Sequence, residues 1–321
     1  MESVRRIGAY GLVRDGDRVL LVRGSARCHF PGVWQLPGGG PRHAEHPAHA
    51  LVRRVAEETG LTVHVLGPRA AVADLVRLPD RTCHVDRILF DAEAGPGVLR
   101  VDADGGVAEA AWFTPDEAGR VPLMPFTADL LGLPVTALPP PVPLPPPVPV
   151  SAGAGRDVAD QRQRFAAYGL VTDPAGRILL TMIAEGYPSA GRWHLPGGGT
   201  DHGEQPVTAL LRELVEETGQ FGRVLELLDV DNLHDPAAVG PEGRPLDWHG
   251  VRVVFRVIID TPTEAVVTEA AGGSTARAAW FTPQQVGGLR LTGVASRAIG
   301  GHRTRRTPDR PIWPTSGRVG R

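Results

Sequence analysis

The chain repeats itself. "RIGAYGLV" from Arg6 returns as "RFAAYGLV" from Arg164, and "WQLPGGG" from Trp34 returns as "WHLPGGG" from Trp193. "AAWFTPDEAG" from Ala110 returns as "AAWFTPQQVG" from Ala278. A unit of this length is a duplicated domain, since solenoid repeats run about 20–50 residues. The duplication constrains the fold more than any other feature, because one architecture must satisfy two diverged copies. The 321 residues suffice for two domains of ordinary size. Two complete cores predict copies that fold independently.

The copies are read as residues 1–133 and 161–300. Between them, 134–160 contain "LPPPVPLPPPVPVSAGAG" (Leu138 to Gly155), a Pro density that favours a polyproline spacer of about 3.1 Å per residue. Residues 301–321 lack apolar periodicity and read as a basic, disordered tail. In each copy, paired apolar stretches (7–13 with 18–22, 165–171 with 177–181) predict strands around a turn. A Gly-rich loop then leads into a helix entered at Pro47 or Pro206, where the missing N–H costs nothing. "RILFDA" and "VRVVFRVIID" predict later strands, and Thr114 with Glu117 or Thr282 with Gln285 form capping boxes. Strands and helices mixed in one unit imply a layered α/β domain, present twice.

The chemistry sits on the predicted helix. "RRVAEETG" starts at Arg53 and "RELVEETG" at Arg212. Helical positions i, i+3 and i+4 share a face, so Glu213, Glu216 and Glu217 stand together in the second copy, with Glu204 at the helix entrance. Clustered carboxylates repel unless a cation neutralises them. Hard oxygen ligands suit Mg²⁺ or Mn²⁺, which in turn suit diphosphates. The alternative is a solvated face held by pairs such as Arg212 with Glu216. The glycines of "PGGGTDHGE" let backbone approach the same point.

The spacing from Gly198 through Glu204 to Arg212, Glu213, Leu214, Glu216, Glu217 and Gly219 resembles the signature box of the Nudix hydrolase family. The resemblance covers about residues 5–133 and 161–300. It implies two tandem α/β/α sandwiches with a mixed sheet. It further implies a metal-dependent enzyme that hydrolyses the diphosphate bond of a nucleoside diphosphate linked to another moiety. On that resemblance, Glu216 and Glu217 are metal ligands, and Glu213 is a ligand or the water-activating base. Arg212 orients its neighbouring glutamate, while Gly198 and Glu204 complete the loop side. Gln220 departs from the pattern, which has an aliphatic residue there. The first copy keeps Gly39, Glu45, Arg53, Val55, Glu57, Glu58, Gly60 and Leu61 but has Arg54 in place of the first glutamate. That guanidinium should fold onto Glu57 and Glu58 and leave the first site impaired.

Smaller signals bear on the partner class. A net charge of −2 and no helix-turn-helix pattern argue against specific nucleic-acid binding. Cys28 and Cys83 form no ladder or CxxC, which suits a reducing compartment. The N-terminus reads as no signal peptide, and no apolar run approaches a membrane span, so a cytoplasmic protein without membrane partners is expected. Homo-oligomerisation is left open. His43, His46 and His49 lack a Cys or a fourth ligand for zinc and read as solvated. Trp34 and Trp193 read as packing residues. "DNLHDPAAVGPEGRPLDWH" in the second copy reads as a polar, turn-rich loop, with Asn232, His234, Arg244 and Trp248 as substrate contacts. Glu109 in the first copy faces Arg277 in the second, which leaves a composite site open. The competing function is a non-catalytic nucleotide-binding or sensor protein on the same scaffold.

Overall fold

The computed structural model describes residues 2–101, 105–144, 160–239, 243–268 and 273–302. In the first copy, strands β1 (Glu2–Asp15), β2 (Arg18–Gly24), β3 (Trp34–Gln35) and β4 (Gly38–Gly39) precede helix α1 (Pro47–Thr59). Strands β5 (Val63–Arg77), β6 (Arg81–Ala94) and β7 (Val107–Phe113) follow, then short helices α2 (Pro115–Ala118) and α3 (Pro125–Leu130). The second copy repeats this order: β8 (Asp160–Thr172), β9 (Ile178–Ile183), β10 (Trp193–His194), β11 (Gly197–Gly199) and α4 (Pro206–Thr218). It continues with β12 (Arg223–Val239), β13 (Pro245–Ile258), β14 (Thr275–Phe281), α5 (Pro283–Val286) and α6 (Gly293–His302).

Each copy builds a mixed seven-stranded sheet, ordered β3-β2-β1-β6-β5 with β4 on β1 and β7 on β2, and likewise in the second copy. The long β1–β6 and β8–β13 pairs are parallel; the remaining pairings are antiparallel. Local chemistry sets the element ends. The β1–β2 hairpin turns through Gly16 at φ 63°, a conformation that favours glycine. Helices α1 and α4 open on proline and close on left-handed Gly60 and Gly219. Both capping boxes form, at Thr114 with Glu117 and at Thr282 with Gln285.

The layers follow from which faces are apolar. Leu51 and Val55 of α1, and Leu210 and Leu214 of α4, pack against one face of their sheets. The short helices cover the opposite faces, where Trp34 meets Phe113 edge-on and Trp193 meets Phe281 likewise. Each copy is thus an α/β/α sandwich, with both tryptophans in the packing.

The helix-side cores are not separate. One continuous cluster of buried side chains runs through both copies, joining Ile7, Ala71 and Phe90 to Phe165, Leu227, Val230 and Phe255. Strand β5 packs against β12, and polar bonds stitch the seam. The Gln205 amide donates to Ala73 O and accepts from its N–H at 2.8 Å. Asn232 donates to Ala44 O at 3.1 Å, and His46 Nε2 meets Val230 O at 3.2 Å. This overturns the expectation of two self-contained cores, because strand faces that looked complete in the sequence are half of a shared interior.

The segment read as a loop is a hairpin: β12 runs on to Val239 and β13 begins at Pro245, with His234 opposite His249 and Asp235 opposite Trp248. Polar composition hid it, since ladder bonds form between backbones whatever the side chains. Of the Pro-rich stretch, residues 134–144 carry no regular structure, but Leu138 packs on the first core and the Val142 N–H donates to His29 O at 2.8 Å. The rest of that stretch (145–159) and the tail from 303 lie outside the described residues. Cys28 and Cys83 are free thiols. Among the described residues, no helix is long and apolar enough to cross a membrane.

Candidate active site

In the second copy the glycine loop after β10 and the first face of α4 meet. Arg212 is the hub. It donates to both oxygens of Glu204 (3.0 and 3.1 Å), to Glu213 (3.0 Å), to Glu216 (3.3 Å) and to Gly199 O (3.3 Å). One guanidinium therefore fixes the loop against the helix and orients three carboxylates, a task suited to its rigid planar fork. Its bonds hold the Glu204 carboxyl below the usual range.

Glu217 is buried and held from both sides. The Gly197 N–H donates to one oxygen at 2.9 Å and the Thr275 hydroxyl to the other at 2.5 Å. Burial outweighs these bonds and pushes its carboxyl up to about 7. Burial also raises Glu213, against the pull of Arg212. The Glu213 carboxylate lies against the α-carbon of Gly198, where a side chain would meet it at 2.7 Å and force the carboxylate aside. Gly199 similarly makes room for the Arg164 guanidinium. Glu213 and Glu216 face the Arg212 cation while Glu217 is held by neutral donors, and burial lifts Glu213 and Glu217 in pKa. Such a donor set fits a divalent cation, whose charge would hold these carboxyls ionised.

The first copy repeats the scaffold with different contents. Arg53 bridges Glu45 (2.8 and 2.6 Å) and Glu57 (3.2 Å), and holds Glu45 down to about 2. Arg54 donates to Glu57 at 3.0 Å and to Glu58 at 2.6 Å, as its spacing predicted. Its Nε stands 2.7 Å from where a side chain on Gly39 would begin, the counterpart of the Glu213 carboxylate beside Gly198. A cation thus occupies the position that a carboxylate takes in the second copy. Glu58 still accepts the Gly38 N–H at 3.0 Å and is pushed up to about 7 by burial.

Other expectations find their places. Gln220, the departure from the box, is buried, and its amide is fully used. It donates to Thr263 Oγ1 (2.8 Å) and Glu264 O (3.1 Å), and accepts from the Thr263 N–H (3.0 Å). Asn232 and His234 sit on the β12–β13 hairpin and bond at the seam: Asn232 with Ala44 and with His249 (2.6 Å), His234 with Asp247 (2.8 Å). Arg244 precedes β13, and Trp248 lies within it beside β8. Glu109 pairs with Arg23 at 2.7 Å inside the first copy, and Arg277 lies over the Trp193 ring of the second, so neither crosses the seam. His43 and His46 are not solvated but face the other copy.

Sequence reading missed several polar groups of the second sheet. Tyr168 and His194 are packed together at 4.7 Å, with burial taking His194 down to about 4. Arg252 bonds Asp231 at 2.6 Å. Tyr168, like the Arg164 beside Gly199, lies in the repeated octet, so the duplication itself was the available signal. The first copy also holds a cavity of about 330 Å³, lined among others by Arg6, Tyr10, Phe30, Gln35, Arg87 and Met124.

The NUDIX domain profile matches residues 4–131 and 162–299. A Mycobacterium tuberculosis protein provisionally named 8-oxo-dGTP diphosphatase 3 is 33% identical over 128 residues, which cover 37% of this chain and 58% of that protein. A MutT-like protein of Streptomyces ambofaciens is 29% identical over 110 residues, covering 34% of this chain and 63% of its own. The chain thus spans less than two thirds of the length of either relative. Among solved structures, a MutT NUDIX hydrolase from Burkholderia pseudomallei superposes with a TM-score of 0.35 at 27% identity, over 44% of this chain and 98% of that one. With the profile covering most of its length in two segments, the chain belongs to the NUDIX domain family and carries the domain twice.

Proposed function

We propose that the second copy hydrolyses the diphosphate linkage of a nucleoside diphosphate joined to another moiety. The observation that carries this reading is the contrast between the copies: an open carboxylate cluster around Arg212 in one, and a cluster bridged by Arg54 in the other. Glu213, Glu216 and Glu217, with Glu204 and the Gly198 backbone, would hold Mg²⁺, with Mn²⁺ as an alternative. A bound divalent ion neutralises charge on phosphate oxygens and lowers the pKa of water.

The chain's own groups supply the rest. Arg212 keeps Glu204, Glu213 and Glu216 in register. Thr275 and the Gly197 N–H keep the Glu217 carboxylate aimed at the loop. Glu213, half-buried and raised in pKa, is suited to take a proton from the attacking water. Arg164, standing over Gly199, offers a cation to a phosphate at the loop. Asn232 and His234 would contact substrate only by giving up their bonds at the seam.

The test is a substrate panel with Mg²⁺, covering nucleotide sugars, ADP-ribose, dinucleoside polyphosphates and 8-oxo-dGTP, the nucleotide in the mycobacterial relative's name. Release of phosphate or nucleotide is read. Turnover should fall by about 10²–10⁴-fold in Glu213→Gln, the range for removing a general base. Turnover equal to wild type in that variant removes the second box from the mechanism.

The first copy supports a second reading of its own. Its 330 Å³ cavity falls in the size range of small-ligand pockets, about 300–1,000 Å³, while its box is bridged internally. A binding-only role for that copy fits both facts, and would appear as saturable nucleotide binding that survives loss of the second box.

A further inference from the structure

The seam between the copies brings together three groups that neither copy holds alone. His43 comes from the loop ahead of α1; His234 and Asp247 stand on the β12–β13 hairpin. His234 Nε2 lies 2.8 Å and His43 Nε2 3.0 Å from the same oxygen, Asp247 Oδ1. All three ligand atoms fall within 4.8 Å of one another. The rings meet edge-on, with centroids 5.6 Å apart. His43 Nε2 is shielded from solvent and, despite that close approach, has no partner in hydrogen-bonding geometry. A shielded ring nitrogen left unsatisfied is costly unless something else engages it.

From these observations we infer a divalent-cation site, suited to Zn²⁺, formed by His43, His234 and Asp247 across the seam. Zinc takes imidazole and carboxylate ligands at about 2.0–2.2 Å in a tetrahedron, which sets ligand atoms roughly 3.3–3.5 Å apart. The two spacings to Asp247 need only sub-ångström opening. His234 is partly open to solvent, which leaves room for water as the fourth ligand. His249, whose ring lies 5.4 Å from that of His43, is not a ligand: Gln163 and Asn232 engage its two nitrogens at 2.9 and 2.6 Å.

The mirror position across the seam explains why the site occurs once. There His202 of the second copy faces His84 of the first at 5.3 Å, as His43 faces His249. The residue paired with His84 is Leu75, where His249 has His234. Two residues before His84 stands Thr82, where Asp247 precedes His249. The duplicated geometry is kept, but two of the three ligands are missing. One copy gives one ligand and the other gives two, so the ion would bind only the docked pair and would stabilise it.

The test uses the untagged full chain, stripped of metal and dialysed against Zn²⁺ with excess Mg²⁺ present. Bound zinc is counted by elemental analysis, and Co²⁺ is substituted to read coordination by visible absorption. Wild type should retain one zinc per chain, show the intense band of four-coordinate cobalt, and gain several degrees in Tm. Glu217→Gln should keep all three. His43→Gln and His234→Gln should each lose the zinc, the band and the shift; His234→Gln, on the exposed side of its strand, guards against misfolding at the seam. The inference is overturned if wild type retains no zinc. It is equally overturned if both histidine variants retain it while Glu217→Gln does not, which would assign the ion to the box.

Discussion

Arg54 and Glu213 occupy equivalent places in the two copies, and their opposite charges separate the sites. Arg54→Glu should remove the bridges to Glu57 and Glu58 and leave four clustered acids. The variant should be less stable than wild type without metal, and Mn²⁺ should raise its Tm by more than it raises that of wild type. Equal shifts in thermal melts of the two full-length proteins would show that Arg54 does not stand where a cation binds. Glu58 carries a pH signature. Its folded carboxyl lies near 7 and its unfolded one near 4.5, so the folded state binds the extra proton between those values. Stability contributed by Glu58 is therefore full below about 4.5 and is lost as pH rises through about 7. Relative to Glu58→Gln, wild type should lose on the order of 1–3 kcal/mol across that window, measured by urea unfolding at stepped pH. A flat difference would contradict the assignment.

The box helix of the second copy ends against the irregular segment that follows β13, and Gln220 makes that junction polar. Its side chain is buried and bonds an N–H, a hydroxyl and a carbonyl of the exposed Thr263 and Glu264. Restoring the aliphatic residue of the family pattern, Gln220→Leu, should therefore destabilise the protein by about 1–3 kcal/mol for the three lost hydrogen bonds, at roughly 0.5–1.5 kcal/mol each and offset in part by the apolar side chain. Chemical denaturation gives the value, and a stabilised variant would show that the network is dispensable. The β12–β13 hairpin makes the same point about elements. The side chains of its outer half, His234–Val239 and Pro245–His249, carry no apolar alternation, yet that half pairs too, and the hairpin delivers Asn232, His234 and Asp247 to the other copy.

At the scale of the molecule, the duplication produced an internal pair with a common interior. A fragment of residues 156–300 would expose Leu227 and Val230 and lose the Gln205 and Asn232 bonds to the first copy. It should melt well below the full chain or aggregate. Adding residues 1–135 in trans should restore part of the loss, with calorimetry as the check. A fragment as stable as the whole would mean that the shared cluster contributes nothing.

The mixed α/β class, the helix caps and the carboxylate face were legible in the sequence, because each depends on short spacings and local backbone preference, and the repeat was legible because the two copies still share whole strings of residues. Arg54 folding onto Glu57 and Glu58 was legible for the same reason: a helix dictates which residues meet at i+3 and i+4. The seam was not. Whether Leu227 covers its own sheet or a neighbour's, and whether His43 faces water or His234, depends on how two folded units dock. Docking is set by the shapes of assembled faces rather than by any local pattern. The sequence alone therefore determined what each copy is, and only the tertiary structure decided that the two share one core and bring His43, His234 and Asp247 together.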